Sequence, residues 1–206
     1  MSTEQNWRRI WQELGLPQTD LALLHTLQAR YAEPHRKYHT YQHLEACLKH
    51  FETVRHTATH PAEIELALWF HDAVYEIRGI GNEAQSADWA RDVLQMAGAS
   101  DEVAARVHAL VMATCHNAQP QTSDQGILLD VDLAILGAPA PIFDAYEAQV
   151  RAEYAAVPET DFRKGRQSIL EGFLARNPIF HTPYFTALCE LQARANLKRS
   201  IHRLQE

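Results

Sequence analysis

Two histidines and two aspartates have the side chains of a metal site: His43, the adjacent pair His71-Asp72, and Asp132. Asp72 lies in a segment whose apolar residues recur at helical spacing and face inward. An isolated buried carboxylate is costly unless it is paired, hydrogen-bonded or bound to a cation. Two neutral imidazoles and two carboxylates form a mixed set that suits Mn, Fe, Ni, Co or Zn, and suits Mg less well. The residues therefore predict a site for a divalent metal.

This pattern resembles the HD superfamily of metal-dependent phosphohydrolases, in which a histidine, an adjacent His-Asp pair and a distant aspartate hold the metal. The resemblance spans roughly Tyr38 to Gly137, and the whole chain is similar to the compact bacterial subfamily described as predicted HD phosphohydrolases. It implies hydrolysis of a phosphoester or phosphoanhydride in a nucleotide or small phosphorylated metabolite, and we expect one divalent ion per chain. The residues that carry it are His43, Leu68-Trp69-Phe70-His71-Asp72, and Asp130-Val131-Asp132-Leu133-Ala134-Ile135-Leu136-Gly137.

Two acidic positions in the pattern have alternative interpretations. An aspartate followed by a small apolar turn is the family pattern, which favours Asp132 over Asp130 as the ligand and leaves Asp130 as a helix cap or a partner of a ligand. Glu83 follows the His-Asp pair, and the resemblance implies that it orients a metal-bound water; Glu76 is a second candidate. Ordinary helix N-terminal charge explains Glu83 equally well, because Asn82-Glu83-Ala84-Gln85 has a capping-box pattern.

The segment Tyr38-His39-x-x-x-His43 is similar to the cyclic-nucleotide phosphodiesterases of this superfamily, in which the first histidine protonates the leaving oxygen and the second binds metal. This likeness implies that His39 is the general acid, a role that an uncoordinated imidazole can fill near neutral pH. Thr40 stands where those enzymes usually carry Asn, so specificity for cyclic nucleotides does not follow. The alternative for His39 is a surface histidine before a helix.

Candidates for contact with the phosphorylated substrate are Arg36, Lys37, His116 and Arg166. Guanidinium groups match phosphate geometry, although a solvated helix face explains each basic residue as well. His108 and His116 also bear on the metal count, since some superfamily members use two further histidines for a second metal and a few are di-iron oxygenases. A di-iron oxygenase and a non-catalytic binding protein that retains the fold are therefore the alternative functions.

Apolar residues recur at helical spacing along the chain, without a convincing strand set or repeat. The residues expected to cap helices are Asp20 or Thr19, Thr40, Asn82 and Ser100. The helix that begins near Pro61 is expected to carry His71, Asp72 and Tyr75 on one face. We therefore predict an all-α, compact HD-type fold, with a single domain over residues 1–206, a metal-site core at about 38–137, and C-terminal helices in 142–206 packed on it.

Composition restricts the partners. The 206 residues are 46% hydrophobic, enough for one continuous core, and the formal net charge of −7 argues against broad nucleic-acid binding. Cys47, Cys115 and Cys189 lack paired metal spacing, which predicts free, mostly buried thiols in a reducing cytoplasm. Neither a signal peptide nor a transmembrane run is recognisable. We expect a cytoplasmic protein with a small phosphorylated substrate and no membrane partner; a homodimer is compatible with the sequence.

Overall fold

The computed structural model describes residues 2–77 and 79–206, and over these residues the chain forms ten α-helices, two short 3-10 helices and no strand. The prediction of an all-α protein is confirmed. The 3-10 helices are Arg55–Thr57 and Leu133–Gly137. The α-helices are α1 (Thr3–Glu13), α2 (Leu21–Tyr31), α3 (Tyr41–Val54), α4 (Pro61–Phe70), α5 (Asn82–Met96), α6 (Asp101–Ala113), α7 (Ser123–Asp132), α8 (Ala140–Glu153), α9 (Glu159–Ala175) and α10 (Pro183–Gln205).

The internal contacts divide the chain into two compact units, Met1–Leu128 and Leu129–Glu206. The boundary falls within α7, and the expected single domain over residues 1–206 stays a prediction. The first unit is built around α4, against which α1, α3, α5 and α6 pack. Every residue of α4 from Ala62 to Phe70 is buried, which explains why its sequence, apart from Glu63 and Glu65, is apolar on all sides instead of along one stripe.

Two glutamates on this buried helix are paired with arginines from neighbouring helices. Glu63 accepts two bonds from Arg106 on α6, at 2.8 and 2.7 Å. Glu65 accepts two from Arg9 on α1, at 2.7 and 3.0 Å. Bidentate pairing of this kind offsets the cost of placing carboxylates in a helix that lacks an exposed face.

The helix that carries His71 ends earlier than predicted. Helix α4 stops at Phe70, so Asp72 and Tyr75 lie in the following loop and not on the helix face. The cause is a set of long-range partners for the backbone. The N–H of Val74 donates to Ser86 Oγ (3.0 Å), and the carbonyl oxygen of Asp72 accepts from Arg36 (2.6 Å). These bonds replace the helical ones that a longer α4 would have made.

The predicted helix caps have mixed outcomes. Asp20 and Ser100 accept the expected bonds at the starts of α2 and α6. Thr40 occupies the cap position of α3, but its hydroxyl donates to Tyr38 O (3.4 Å) instead of accepting from the helix. The prediction that Asn82 caps α5 is wrong, because Gly81 holds that position with a left-handed φ of 80°. The Asn82 amide instead bonds to both backbone groups of Glu76.

In the second unit, α10 packs against α9 and against the 3-10 helix Leu133–Gly137. Asn196 on α10 is fully buried and donates to the carbonyl oxygens of Leu136 and Ala138, both at 2.8 Å. A side chain at Gly137 would collide with Cys189. The small apolar turn after Asp132 is therefore held by close packing on α10.

Among the described residues, no single helix is long and apolar enough to cross a membrane. Two consecutive segments, Ser123–Gly137 and Ala140–Glu153, are together long and apolar enough, but the chain bends by 102° between them.

Candidate metal centre

Helix α3 places two potential ligands on one buried face. His43 lies in its first turn, and Cys47 follows one turn later, at the i, i+4 spacing that brings helical side chains together. Cys47 is 2% exposed, and its Sγ lies 3.7 Å from both ring nitrogens of His43. The helix therefore presents an imidazole and a thiol side by side.

His71 approaches the same point from the end of α4. Its Nδ1 lies 2.7 Å from the carbonyl oxygen of Leu68. A carbonyl only accepts, so Nδ1 carries a proton, and Nε2 is the nitrogen that can bind a metal once the ring is neutral. That Nε2 lies 3.2 Å from Nε2 of His43. A backbone contact thus fixes the tautomer that a metal ligand needs.

Asp72 follows His71 and adds a carboxylate. Its Oδ2 lies 3.0 Å from Nε2 of His71 and 3.6 Å from Nε2 of His43. Burial opposes ionisation, but the charges of the neighbouring histidines outweigh burial and hold the pKa of Asp72 below its usual range. An ionised carboxylate beside the Nε2 atoms of two histidines is an arrangement that a cation stabilises.

Three residues of the first unit, His43, Cys47 and His71, belong to a group that could hold a metal ion, and their ligand atoms lie within 4.8 Å of one another. Asp132, the half-buried last residue of α7, lies in the second unit, and its place as a ligand stays a prediction. Nitrogen, sulfur and carboxylate oxygen together are a donor set for divalent transition metals. A potential metal site is therefore present, whereas the identity of the ion stays a prediction.

Cys47 is the residue that the sequence analysis missed, because the three cysteines lack paired Cys-x-x-Cys spacing. A different signal was available. The pattern His43-x-x-x-Cys47 puts both side chains on the face that Leu44 and Phe51 bury. A thiol one turn from a predicted ligand was thus as well placed as any histidine.

His39 lies beside this group without belonging to it. Its ring stacks on Tyr75 with centroids 4.2 Å apart, and its centroid is 6.0 Å from that of His43. Its charge also contributes to the lowered pKa of Asp72. His39 is half-buried and positioned within the same cluster of rings, as a proton donor at the edge of a metal site would be. Its role as general acid stays a prediction.

Arg36 is buried and its guanidinium binds loop carbonyls. Nη1 donates to the carbonyl oxygens of His39 (3.1 Å) and Asp72 (2.6 Å). Nη2 donates to Ala73 O (3.2 Å), and Nε donates to the Glu33 carboxylate (3.1 Å). These bonds use most of the five N–H groups of an arginine. The geometry is that of a residue that ties the His39 and Asp72 loops together, and its contact with phosphate stays a prediction.

The other predicted substrate contacts have separate environments. Lys37 is exposed, and its Nζ donates to Pro34 O (2.8 Å). Arg166 on α9 is buried; it donates to Tyr146 Oη (2.6 Å) and pairs with Glu147. His116 is half-buried after the end of α6, with a left-handed φ of 54°. None of the three belongs to the ligand group of the described residues, and their phosphate contacts stay predictions.

Glu83 is half-buried in the first turn of α5. After burial, its charge is the second cause of the raised pKa of Cys115. It is not one of the grouped ligands among the described residues, so its action on a water molecule stays a prediction.

Asp130 is hydrogen-bonded to the residues that precede and begin α10. It is 1% exposed and accepts bonds from the N–H groups of His181 and Thr182, both at 2.7 Å, and from Thr182 Oγ1 at 2.6 Å. Thr182 is the cap residue of α10. Asp130 therefore holds the start of α10, which agrees with the helix-cap alternative.

Comparison of the chain with family models, curated proteins and solved structures gave no match. The resemblance to the HD superfamily consequently rests on the sequence pattern of His43, His71-Asp72 and Asp132. The close approach of His43, His71 and Asp72 in the fold is an observation independent of that resemblance.

Proposed function

We propose that the protein is a metal-dependent hydrolase of phosphoesters or phosphoanhydrides, with His43, His71, Asp72 and Asp132 holding a divalent ion. The observation that carries the proposal is the approach of three ligand atoms, Nε2 of His43, Nε2 of His71 and Oδ2 of Asp72, to within 3.0 to 3.6 Å of one another. Such an approach inside a protein is costly unless a cation or a proton lies between the atoms.

A divalent ion held by these residues would lower the pKa of water towards neutrality and neutralise charge on phosphoryl oxygens. The protein's own residues supply the remaining functions. His39 stands beside the ligands and protonates the leaving oxygen. Arg36 donates to the backbone carbonyls of His39 and Asp72, and so fixes the position of the general acid relative to the metal ligand. Glu83 orients water, and Lys37 and His116 contact the substrate, a nucleotide or another small phosphorylated metabolite.

Metal analysis of the purified protein combined with a phosphate-release panel tests this function. The panel pairs nucleotides and sugar phosphates with Mn, Mg, Co, Ni, Fe and Zn. We expect about one ion per chain and release that is lost in Asp72→Ala. His202→Ala is the matched control, because this histidine lies exposed in the last turn of α10. Its activity should equal that of the wild type.

Phosphate release that survives Asp72→Ala would refute the centre. Two irons per chain with oxygen-dependent turnover would replace the hydrolase with a di-iron oxygenase. Protein that binds no stoichiometric metal, and is unaltered by Asp72→Ala in every measured property, would indicate a non-catalytic role.

A further inference from the structure

We propose that Cys47 binds the metal as a thiolate, so that the centre contains sulfur in addition to imidazole and carboxylate. This inference rests on the metal centre of the proposed function and specifies its ligands and the class of ion it prefers. The HD-type pattern of histidines and aspartates does not include this residue.

The distances carry the inference. In a tetrahedral zinc site, metal–nitrogen bonds of about 2.05 Å and metal–sulfur bonds of about 2.3 Å place two nitrogens about 3.3 Å apart and nitrogen and sulfur about 3.6 Å apart. The two Nε2 atoms of His43 and His71 lie 3.2 Å apart, and Cys47 Sγ lies 3.7 Å from His43 Nε2. The ligand atoms of Cys47 and His71 lie within 4.8 Å of each other, so one ion can bond to all three residues after a small adjustment of their side chains.

The surroundings of these side chains point the same way. Cys47, His43 and His71 are each more than nine-tenths buried, at 2%, 7% and 2% exposure. Nδ1 of His71 is committed to the Leu68 carbonyl, so its Nε2 is the atom that faces the other ligands. The remaining cysteines differ: Cys115 is half-buried near Glu83, and Cys189 packs beside Gly137.

Coordination would break the S–H bond of Cys47, release the proton to solvent and form a sulfur–metal bond, with no change in oxidation state. Thiolate is a soft ligand that favours Zn, Co or Fe over Mg and Mn. The inference therefore shifts the expected ion towards the softer end of the set predicted from the sequence.

Cobalt absorption spectroscopy tests the ligand independently of activity. Metal-free protein is titrated with Co²⁺, and the near-ultraviolet sulfur-to-cobalt charge-transfer band is recorded together with bound cobalt. The double variant Cys115→Ser/Cys189→Ser retains Cys47 as its only cysteine, since the chain has three. It should show the same band as the wild type.

Cys47→Ser should bind cobalt without the band, and its zinc affinity should fall by about tenfold or more. Should Cys47→Ser fail to fold, the double variant still decides the matter, because a band in it can come only from Cys47. Cobalt bound stoichiometrically without a band in the wild type or the double variant overturns the sulfur ligand and leaves the centre standing. Wild-type protein that binds no cobalt overturns both.

Discussion

The side chains of Asp72 and Asp130 are both largely shielded from solvent, but they face different kinds of partner. Asp130 receives three hydrogen bonds from N–H and O–H donors at the start of α10. The Asp72 carboxylate, whose side chain is 18% exposed, faces the Nε2 atoms of two histidines. The Asp130 carboxylate is hydrogen-bonded within the fold, whereas the Asp72 carboxylate lies beside two imidazoles that could bind a cation together with it. The comparison separates an aspartate that holds the start of a helix from one that we propose as a metal ligand.

The largest effect on stability is expected for substitution of Asp130, whose carboxylate accepts hydrogen bonds at the start of α10. Asp130→Ala leaves the buried N–H groups at the start of α10 without their acceptor, which should cost about 3 kcal/mol of unfolding free energy. Urea unfolding in the presence of a chelator measures it. Asp92→Ala, at an exposed position on α5, is the control and should change little. A loss below about 1 kcal/mol would show that Asp130 is not structural.

Metal removal should act through Asp72 instead. With free metal at about 100 times its dissociation constant, the wild type should gain about 2.7 kcal/mol over the chelated protein. Asp72→Ala should lose most of this gain. Unfolding curves with and without metal provide the measurement. An equal gain in Asp72→Ala would remove the distinction between the two aspartates.

Substitution of Arg36 tests whether its bonds to the loop carbonyls position Asp72 for metal binding. Arg36→Lys keeps the charge but loses the fork that binds several loop carbonyls, so we expect about 2 kcal/mol of destabilisation. Because Asp72 loses its backbone anchor, metal affinity should weaken as well. Arg8→Lys, in an exposed ion pair on α1, is the matched control. Unchanged metal affinity in Arg36→Lys would confine this residue to stability alone.

The smallest expected effect is a difference in pH dependence. The pKa of Asp72 is lowered, so its contribution to stability is present above the ordinary aspartate pKa of about 3.9 and is lost as the pH falls through and below it. The pKa of Asp130 is raised, because burial outweighs the bonds from Thr182 and His181. Its folded form retains the proton more tightly, so its contribution shrinks as the pH rises above about 3.9.

As the pH rises from about 3 to about 6, the unfolding free energy of the metal-free wild type should increase relative to that of Asp72→Asn. Over the same range it should decrease relative to that of Asp130→Asn. Denaturant titrations across this range give both differences. Slopes of the same sign would contradict the opposite environments of the two carboxylates.

Local patterns in the sequence predicted much of the fold. The apolar period located most helices, and Asp20 and Ser100 were recognisable as caps because a cap bonds only a few residues along the chain. The meeting of His43 with His71-Asp72 also followed from their types. The end of α4 did not, since it depends on Arg36, which lies 36 residues before Asp72.

Two further features needed three-dimensional information for the same reason. Asp130 finds its donors 51 and 52 residues later in the chain, so the sequence left its role open between ligand and cap. The i, i+4 spacing places Cys47 beside His43, but a third potential ligand, His71, comes from another helix and is visible only in the fold. Sequence reasoning thus identified the residue types, and the long-range contacts assigned them to fold or site.

The complete burial of α4 also has a consequence for dynamics. A helix enclosed on every side exchanges its amide hydrogens only when the whole unit opens, whereas a loop exchanges through small local openings. The His71 amide, bonded to Ala67 O at 2.8 Å, belongs to the slow class. Asp72, one residue later, belongs to the loop. The candidate centre thus joins a residue whose amide should exchange only when the first unit opens to one whose amide should exchange through local opening.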